Sequence, residues 1–285
     1  MKSHLFIRGS GLFAFFVVCS GIYSSQSPTI CLAIDSDSSV GESAFSADEG
    51  ISIAAKNEEK SRGLLRFSPR QILDRVANTY KSCTSYRDSG RFENTVTRKD
   101  GSKWSRKIAF RTAFQRVPQR FRFTYRKDYY DRGYQEPIIL WHDGQRTLVS
   151  EGEPAKFEPQ EALGRSVARF TGVSFSTVHN IPALLMPNSI GGRRLIELSH
   201  LKPPQIETIE KVVCYRLEGI YADEKMVLWI DSDSYLILKI EEYTSVNEKR
   251  GVYATFYDPT LNEKIPNSLL EKEVAGEWVG FKSAP

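Results

Sequence analysis

The stretch RFRFTYRK, Arg120 to Lys127, decides how the rest of the chain is read. Its first six residues alternate strictly. Phe121, Phe123 and Tyr125 share one parity, and Arg120, Arg122, Thr124 and Arg126 share the other. Successive side chains of a β-strand point to opposite faces, so this strand carries one aromatic face and one cationic face. An aromatic face of this kind is a stacking platform for nucleic-acid bases, the lining of a lipid pocket, or a core. The surrounding sequence has to discriminate among them.

The same period of two continues on both sides. SGRFENTVTR and KWSRKIAFRTAF precede the stretch as strands, separated by the turn-forming Lys99-Asp100-Gly101-Ser102. PIILWHDGQRTLVS follows as a hairpin with Asp143-Gly144 in its turn. At least five strands therefore run in meander order. From Glu158 the pattern turns helical: PQEALGRSVARFTG has Leu163, Val167 and Phe170 on one stripe and stops at Gly172. NIPALLMP is a second short helix or apolar turn that can start at Pro182. Strands resume as VVCYRLEGIY, KMVLWID, YLILKIEEYT and GVYATFYD, with Asp231-Ser232-Asp233-Ser234 as a hairpin turn and one more strand expected at Glu277 to Phe281. Upstream, Ser68-Pro69-Arg70-Gln71 opens a helix with a capping box and proline at the first helical position. Ile72, Leu73, Val76, Ala77 and Tyr80 then recur at helical spacing, and the helix should end near Ser82. Short connections make the sheet antiparallel, in an α+β class with helices on one side. A sheet of about nine twisted strands has to curl.

The chain has 285 residues and a formal net charge of +4. It begins with Lys2 and Arg8, followed by the apolar run GLFAFFVVCSGIY, Gly11 to Tyr23. That run is shorter than the roughly 20 residues of a spanning helix, and it reads as a secretory signal over residues 1–33. Cleavage near Ser20 and near Ala33 both remain open. So do a retained short anchor and lipidation at Cys19 or Cys31. Residues 34–63 hold an acidic, serine-rich stretch with too few apolar residues to offset the entropy of ordering, and read as a disordered linker. Residues 64–285 are of single-domain size. Their positive charge concentrates between Arg98 and Arg132, with twelve bases against three acids.

Catalytic patterns are absent from the sequence. His142, His179 and His200 stand in no metal-ligand spacing with one another or with cysteine. There is no nucleophile elbow and no phosphate-binding glycine loop. Asp231 to Ser234 lacks the glycine and later glutamate of a calcium loop. Glu241 and Glu242 face opposite ways on a strand and cannot form a dyad. The chain therefore reads as a non-enzyme with no cofactor and no metal. Nucleic-acid binding needs exposed aromatics beside the cations, whereas here the two lie on opposite faces. Cys83 and Cys214 remain after processing, and an oxidising compartment favours a disulfide between them; the alternative is two separate buried thiols.

The helix ILDRVANTYKSCTSY, the following Asp88-Ser89-Gly90, the meander with FRFTY, and the hairpin VLWIDSDSYLILKIEEY together resemble the outer-membrane lipoprotein carrier (LolA-like) superfamily, as a secreted or periplasmic relative. The resemblance covers most of residues 64–260. It implies a strongly curved antiparallel sheet, an incomplete barrel, with helices covering its open, concave side and an apolar cavity for acyl chains between them. On that expectation Phe110, Phe121, Phe123, Tyr125, Trp141 and Trp229 line the cavity. Arg111, Arg120, Arg122 and Arg126 meet a headgroup or a membrane surface, or form a solvated outer face. The expected partners are a lipid or acylated ligand and membrane or envelope proteins, for a monomeric chain without nucleic acid. The alternative of the same fold is an envelope sensor or interaction module with a filled core.

Overall fold

The computed structural model describes residues 66–97, 101–129, 133–134, 137–151, 157–160, 162–246 and 249–272. They all lie within the unit Asp48–Pro285. The signal sequence, the acidic linker and the strand expected at 277–281 fall outside the described residues.

Helix α1 (Pro69–Ser82) forms where the capping pattern places it. Ser68 Oγ accepts from Gln71 N at 3.3 Å, and Gln71 Oε1 accepts from Ser68 N at 2.8 Å. The helix buries Ile72, Leu73, Val76 and Tyr80. Each such side chain contributes about 1.5–3 kcal/mol.

Among the described residues thirteen strands follow. β1 (Ser85–Thr97), β2 (Lys103–Gln115), β3 (Arg120–Tyr129), β4 (Gly133–Tyr134), β5 (Ile138–His142), β6 (Thr147–Glu151) and β7 (Phe157–Gln160) form the first half. The second half comprises β8 (Gln205–Ile209), β9 (Val212–Tyr221), β10 (Glu224–Asp231), β11 (Ile237–Val246), β12 (Lys249–Tyr257) and β13 (Thr260–Leu261). Between the halves lie α2 (Leu163–Thr171), α3 (Thr177–Asn180) and α4 (Pro182–Leu185); α5 (Asn267–Leu270) ends the described chain. The spatial order is β7-β6-β5-β3-β2-β1-β12-β11-β10-β9-β8, antiparallel throughout and not closed into a barrel. Two meanders thus join edge to edge at β1 and β12, which are more than 150 residues apart in sequence.

Three sequence expectations shift. The stretch expected to begin the second helix pairs instead as β7 on β6, and α2 starts only at Leu163. The chain does leave the helix at Gly172, but in right-handed conformation; the left-handed residues are Phe175 and Ser176. β8 lacks an alternating burial pattern that would announce it, since Gln205, Glu207 and Thr208 are all exposed.

One large cluster of buried side chains joins α1 to α4 to a single face of the sheet, here called the inner face. Tyr80 ties the two layers, its Oη accepting from Ile237 N at 3.0 Å. The bond falls at the register shift between Trp229 and Ile230, where the β10–β11 ladder is interrupted. Not every helix lies on that side. Leu270 of α5 packs with Ala113 and Ile265 in a separate cluster on the outer face.

The expected disulfide is corrected: Cys83 and Cys214 are both free, buried thiols. Cys83 follows α1 and belongs to the inner cluster. Cys214 points to the outer face with Val227 and Trp229. The sheet itself stands between them.

Candidate functional site

The alternation of RFRFTYRK is realised. Phe121, Phe123 and Tyr125 are no more than 1% exposed and lie in the inner cluster, while Arg120, Arg122 and Arg126 are partly exposed on the outer face. Phe110 pairs with Tyr125 across β2 and β3 and joins the same wall. The rings form a chain: Tyr257 to Phe110 at 5.5 Å, Phe110 to Phe123 at 5.9 Å, Phe123 to Tyr125 at 6.0 Å.

Trp141 and Trp229 do not belong to this wall. Trp141 stands directly across from Arg122, on the outer face, and donates from Nε1 to Leu270 O at 2.9 Å. Trp229 is paired with Lys239 and Arg216, also outside. Its ring carries the Lys239 ammonium at 4.3 Å and the Arg216 guanidinium at 5.6 Å, and its Nε1 donates to Glu207 Oε2 at 2.7 Å. Both tryptophans follow an inward-facing leucine, Leu140 and Leu228, and strand alternation turns them out.

Two of the four outer arginines have structural work. Arg120 donates to Leu270 O at 3.1 Å and Arg122 to Ser268 O at 3.2 Å, supplying donors to carbonyls at the end of α5. Arg111 lies across from Thr124, between Arg122 and Arg126. Burial first, then the neighbouring Arg126, lowers the pKa of Arg111; burial, then Arg111, lowers that of Arg122. A surface that holds these guanidinium groups side by side favours anions.

Polar groups also occupy the inner face, and the first reading passed over them. Asp88 lies 5% exposed among the apolar residues. Tyr86 Oη donates to its Oδ2 at 2.5 Å and Thr112 N to its Oδ1 at 2.9 Å. Burial outweighs these two donors and raises the carboxyl from 3.8 to about 7, with Asp258 adding a smaller push. The surrounding Tyr86 and Tyr257 hydroxyls are held well above their ordinary value, chiefly by burial. Glu242 on β11 faces the same interior, and burial raises it to about 7. Glu241 beside it faces outward to Lys239 at 2.6 Å. The two glutamates are thus on opposite faces, as strand parity requires. Asp88 was visible in the sequence as an acid sharing the parity of Tyr86 and Phe92.

These carboxyls give a pH signature. The native state keeps the Asp88 proton where the unfolded chain has released it. The stabilisation is therefore complete below about pH 4 and is lost as pH rises towards about 7. Asp88→Asn should gain on the parent between those limits, by on the order of 3 kcal/mol. Urea midpoints measured from pH 4 to pH 8 test this, and parallel profiles for the two proteins would reject it. Glu242 acts in the same direction in both proteins and cancels in the difference.

The remaining polar motifs are structural. Asp231 Oδ1 accepts from Asp233 N at 2.9 Å and Oδ2 from Ser234 Oγ at 2.6 Å, closing the β10–β11 turn. His142 Nδ1 meets Thr147 Oγ1 at 3.1 Å and His179 Nε2 meets Gly191 O at 2.9 Å. Among the described residues no cluster of His, Cys, Asp or Glu is arranged to hold a metal ion. No helix among them is long and apolar enough to cross a membrane.

No protein-family model matches the chain, and no curated protein matches it. Solved structures do. A putative outer membrane lipoprotein-sorting protein domain from Vibrio parahaemolyticus is 11% identical, with TM-score 0.31, over 69% of this chain and 94% of that one. LprF from Mycobacterium bovis is 8% identical, with TM-score 0.40, over 70% and 97%. A LolA superfamily protein from Nitrosomonas europaea is 12% identical, with TM-score 0.26, over 72% and 98%. The solved structures to which this chain is similar thus include LolA-superfamily and lipoprotein-sorting proteins, the group named by the sequence resemblance.

Proposed function

We propose that the chain is a secreted or periplasmic, non-catalytic binding protein. It takes an acyl chain or a comparable apolar ligand between the inner face of an incomplete barrel and the helical segment 163–198. Transfer of a lipid or lipoprotein is the process such a site serves. The basic start and apolar run of residues 2–23 provide the export signal.

The observation that carries this reading is the construction of the cover. α3 and α4 have four residues each, and neither pairs with a strand. Helices this short are not stable by themselves, so packing alone holds them. Ile181, Leu184, Leu185 and Met186 supply that packing as members of the inner cluster. An acyl chain can replace these contacts, each buried methylene contributing about 0.8 kcal/mol. A cover made of small, weakly cooperative pieces is also the part of a fold that opens at least cost.

A second reading has its own support. Phe110, Phe121, Phe123 and Tyr125 are 0–1% exposed, so the protein's own side chains fill the space beside them. That favours an interaction or sensor module without a stored ligand. Mass spectrometry of organic extracts from gently purified protein separates the two, together with titration of a fluorescent fatty acid. The acyl reading expects a co-purified lipid and saturable, micromolar binding. Clean extracts and no binding would sink it and leave the interaction module.

A further inference from the structure

The cover has an outward side whose charge the packing beneath it does not need. Residues 162–196 contain Arg165, Arg169, Arg193 and Arg194 and no acid. α2 turns Leu163, Ser166, Val167 and Phe170 into the protein, which leaves Arg165 and Arg169 exposed on the opposite side, one turn apart. Helical geometry runs on through Gly172, and Ser174 N donates to Phe170 O at 3.0 Å. Val173 therefore extends the Arg165–Arg169 stripe by one more turn, and it is 43% exposed. Beyond it, Arg106 of β2 lies 5.7 Å from the centre of the Phe175 ring.

The fold draws the other two arginines towards this stripe. A Cβ on Gly164 would stand 2.7 Å from Ser189 O and 3.8 Å from Gly191 N. On its other side the same turn meets α3, through Gly191 O and His179 Nε2. Arg193 and Arg194 follow that turn directly. Acids border the surface. Glu197 pairs with Arg194 at 2.9 Å. Glu158 stands on β7 two residues from Gln160, whose Oε1 accepts from Arg169 at 3.4 Å. Glu224 is paired with Tyr221, whose ring lies 5.7 Å from the Arg193 guanidinium. Glu161 lies outside the described residues. α2 itself carries no acid.

Phosphate headgroups fit such a stripe. Guanidinium groups pair with phosphate oxygens two bonds at a time. A protein partner needs large apolar anchors at the centre of its interface. Among the described residues the exposed large apolar side chains are Val117 and Val173. A valine beside arginines suits the shallow apolar layer just beneath headgroups. The outer face of the sheet is the poorer candidate, because Arg120 and Arg122 already serve the carbonyls of α5.

We propose that the outward side of the cover, with Arg165, Arg169, Val173 and the turn Gly191–Arg194, docks the protein on a bilayer surface that carries anionic phospholipids. The part of the fold that opens at least cost then faces the membrane that supplies or receives the acyl chain. That purpose rests on the acyl-chain reading above, whereas the docking itself is measured without any fatty acid.

The test is co-sedimentation of the full chain with phosphatidylcholine vesicles, with and without phosphatidylglycerol. Neutral vesicles set the baseline for binding through the apolar run at residues 11–23. Binding above that baseline is expected on anionic vesicles, and it should fall as salt rises from about 0.1 M to about 0.5 M. Arg165→Gln combined with Arg169→Gln should weaken it about 25-fold, the factor expected for two arginines at an anionic surface. Arg111→Gln combined with Arg126→Gln, on the outer face of the sheet, should leave it unchanged. Circular dichroism checks both variants, and the parent's preference for anionic vesicles stands as a test even if neither folds. Equal binding to the two kinds of vesicle overturns the proposal. So does a folded cover variant that binds like the parent, or loss of binding in the folded outer-face variant alone. A parent that ignores vesicles, beside a variant with the acids of residues 34–63 turned to amides that binds them, makes that acidic stretch the occupant and also overturns it. Failure to dock with fatty-acid binding intact leaves the acyl-chain reading standing. Docking without fatty-acid binding overturns that reading alone.

Discussion

Gly90→Val is expected to destabilise the protein by about 3 kcal/mol or more, at the upper end of the range for overpacked cores. Gly90 sits on the inner face of β1, directly across from Phe110. The Phe110 ring lies over the glycine, so that a Cβ there would stand 2.0 Å from Cζ and about 2.5 Å from the flanking ring carbons. No real Cβ tolerates such contacts, and the ring has nowhere to go. Phe110 is wholly buried, with Phe123 on one side and Tyr257 on the other. The glycine is required for a close approach, and its backbone conformation is ordinary. Gly90→Ala should therefore already cost about 2 kcal/mol, and Phe110→Leu in the alanine background should recover part of the loss. Urea denaturation of the single and double variants measures this coupling. A valine variant with the parent's midpoint would show that the inner wall is loosely packed at its centre.

Arg116→Ala should be nearly as damaging, by about 3 kcal/mol, because one guanidinium satisfies carbonyls from two elements. It donates to Cys83 O at 2.6 Å and Tyr80 O at 3.0 Å, both at the C-terminal end of α1. It also reaches Leu185 O in α4 at 3.3 Å, and it lies 5.0 Å from the centre of the Phe114 ring. The last carbonyls of a helix lack internal partners and carry its negative end, so a cation there has two reasons to be stable. Removing it leaves partly buried carbonyls without donors and releases α4 from α1. Arg116→Lys should restore less than half, since a single ammonium cannot span the three acceptors. Hydrogen exchange over residues 181–186 should rise in both variants before global unfolding. Unchanged exchange in the alanine variant would mean that apolar packing alone holds the cover.

The two effects bear on function from opposite sides. Gly90 sets how tightly the aromatic wall closes. Arg116 sets how firmly the short helices are kept on it. A ligand that enters has to work against the second without disturbing the first. The inner carboxyls, Asp88 and Glu242, keep the interior neutral only at mildly acidic pH.

Some of this was legible in the residues. The capping box at Ser68 and Gln71 specified where α1 starts, because it depends only on neighbours in sequence. Strict alternation told which residues of β3 share a face, because a strand's parity is local. The hairpin turns at Asp143-Gly144 and Asp231-Ser234 were fixed by turn chemistry for the same reason. Glu241 and Glu242 were separable as outward and inward, though not which was which.

Tertiary structure decided the rest. Parity within a strand says nothing about parity between strands, which depends on register across long connections. Trp141 and Trp229 were assigned to the wall by their aromatic character, and register turned both outward. Cys83 and Cys214 were assigned to each other by count, and the sheet came between them. Arg116 was one base among the twelve between Arg98 and Arg132 with nothing local to single it out, until the fold brought α1 and α4 to it. The junction of β1 with β12, which puts Asn94 in line with Glu242, joins the two ends of the domain. Nothing local encodes that pairing. It follows from burying the apolar faces of two meanders under one set of helices, a condition that exists only when the whole chain is folded.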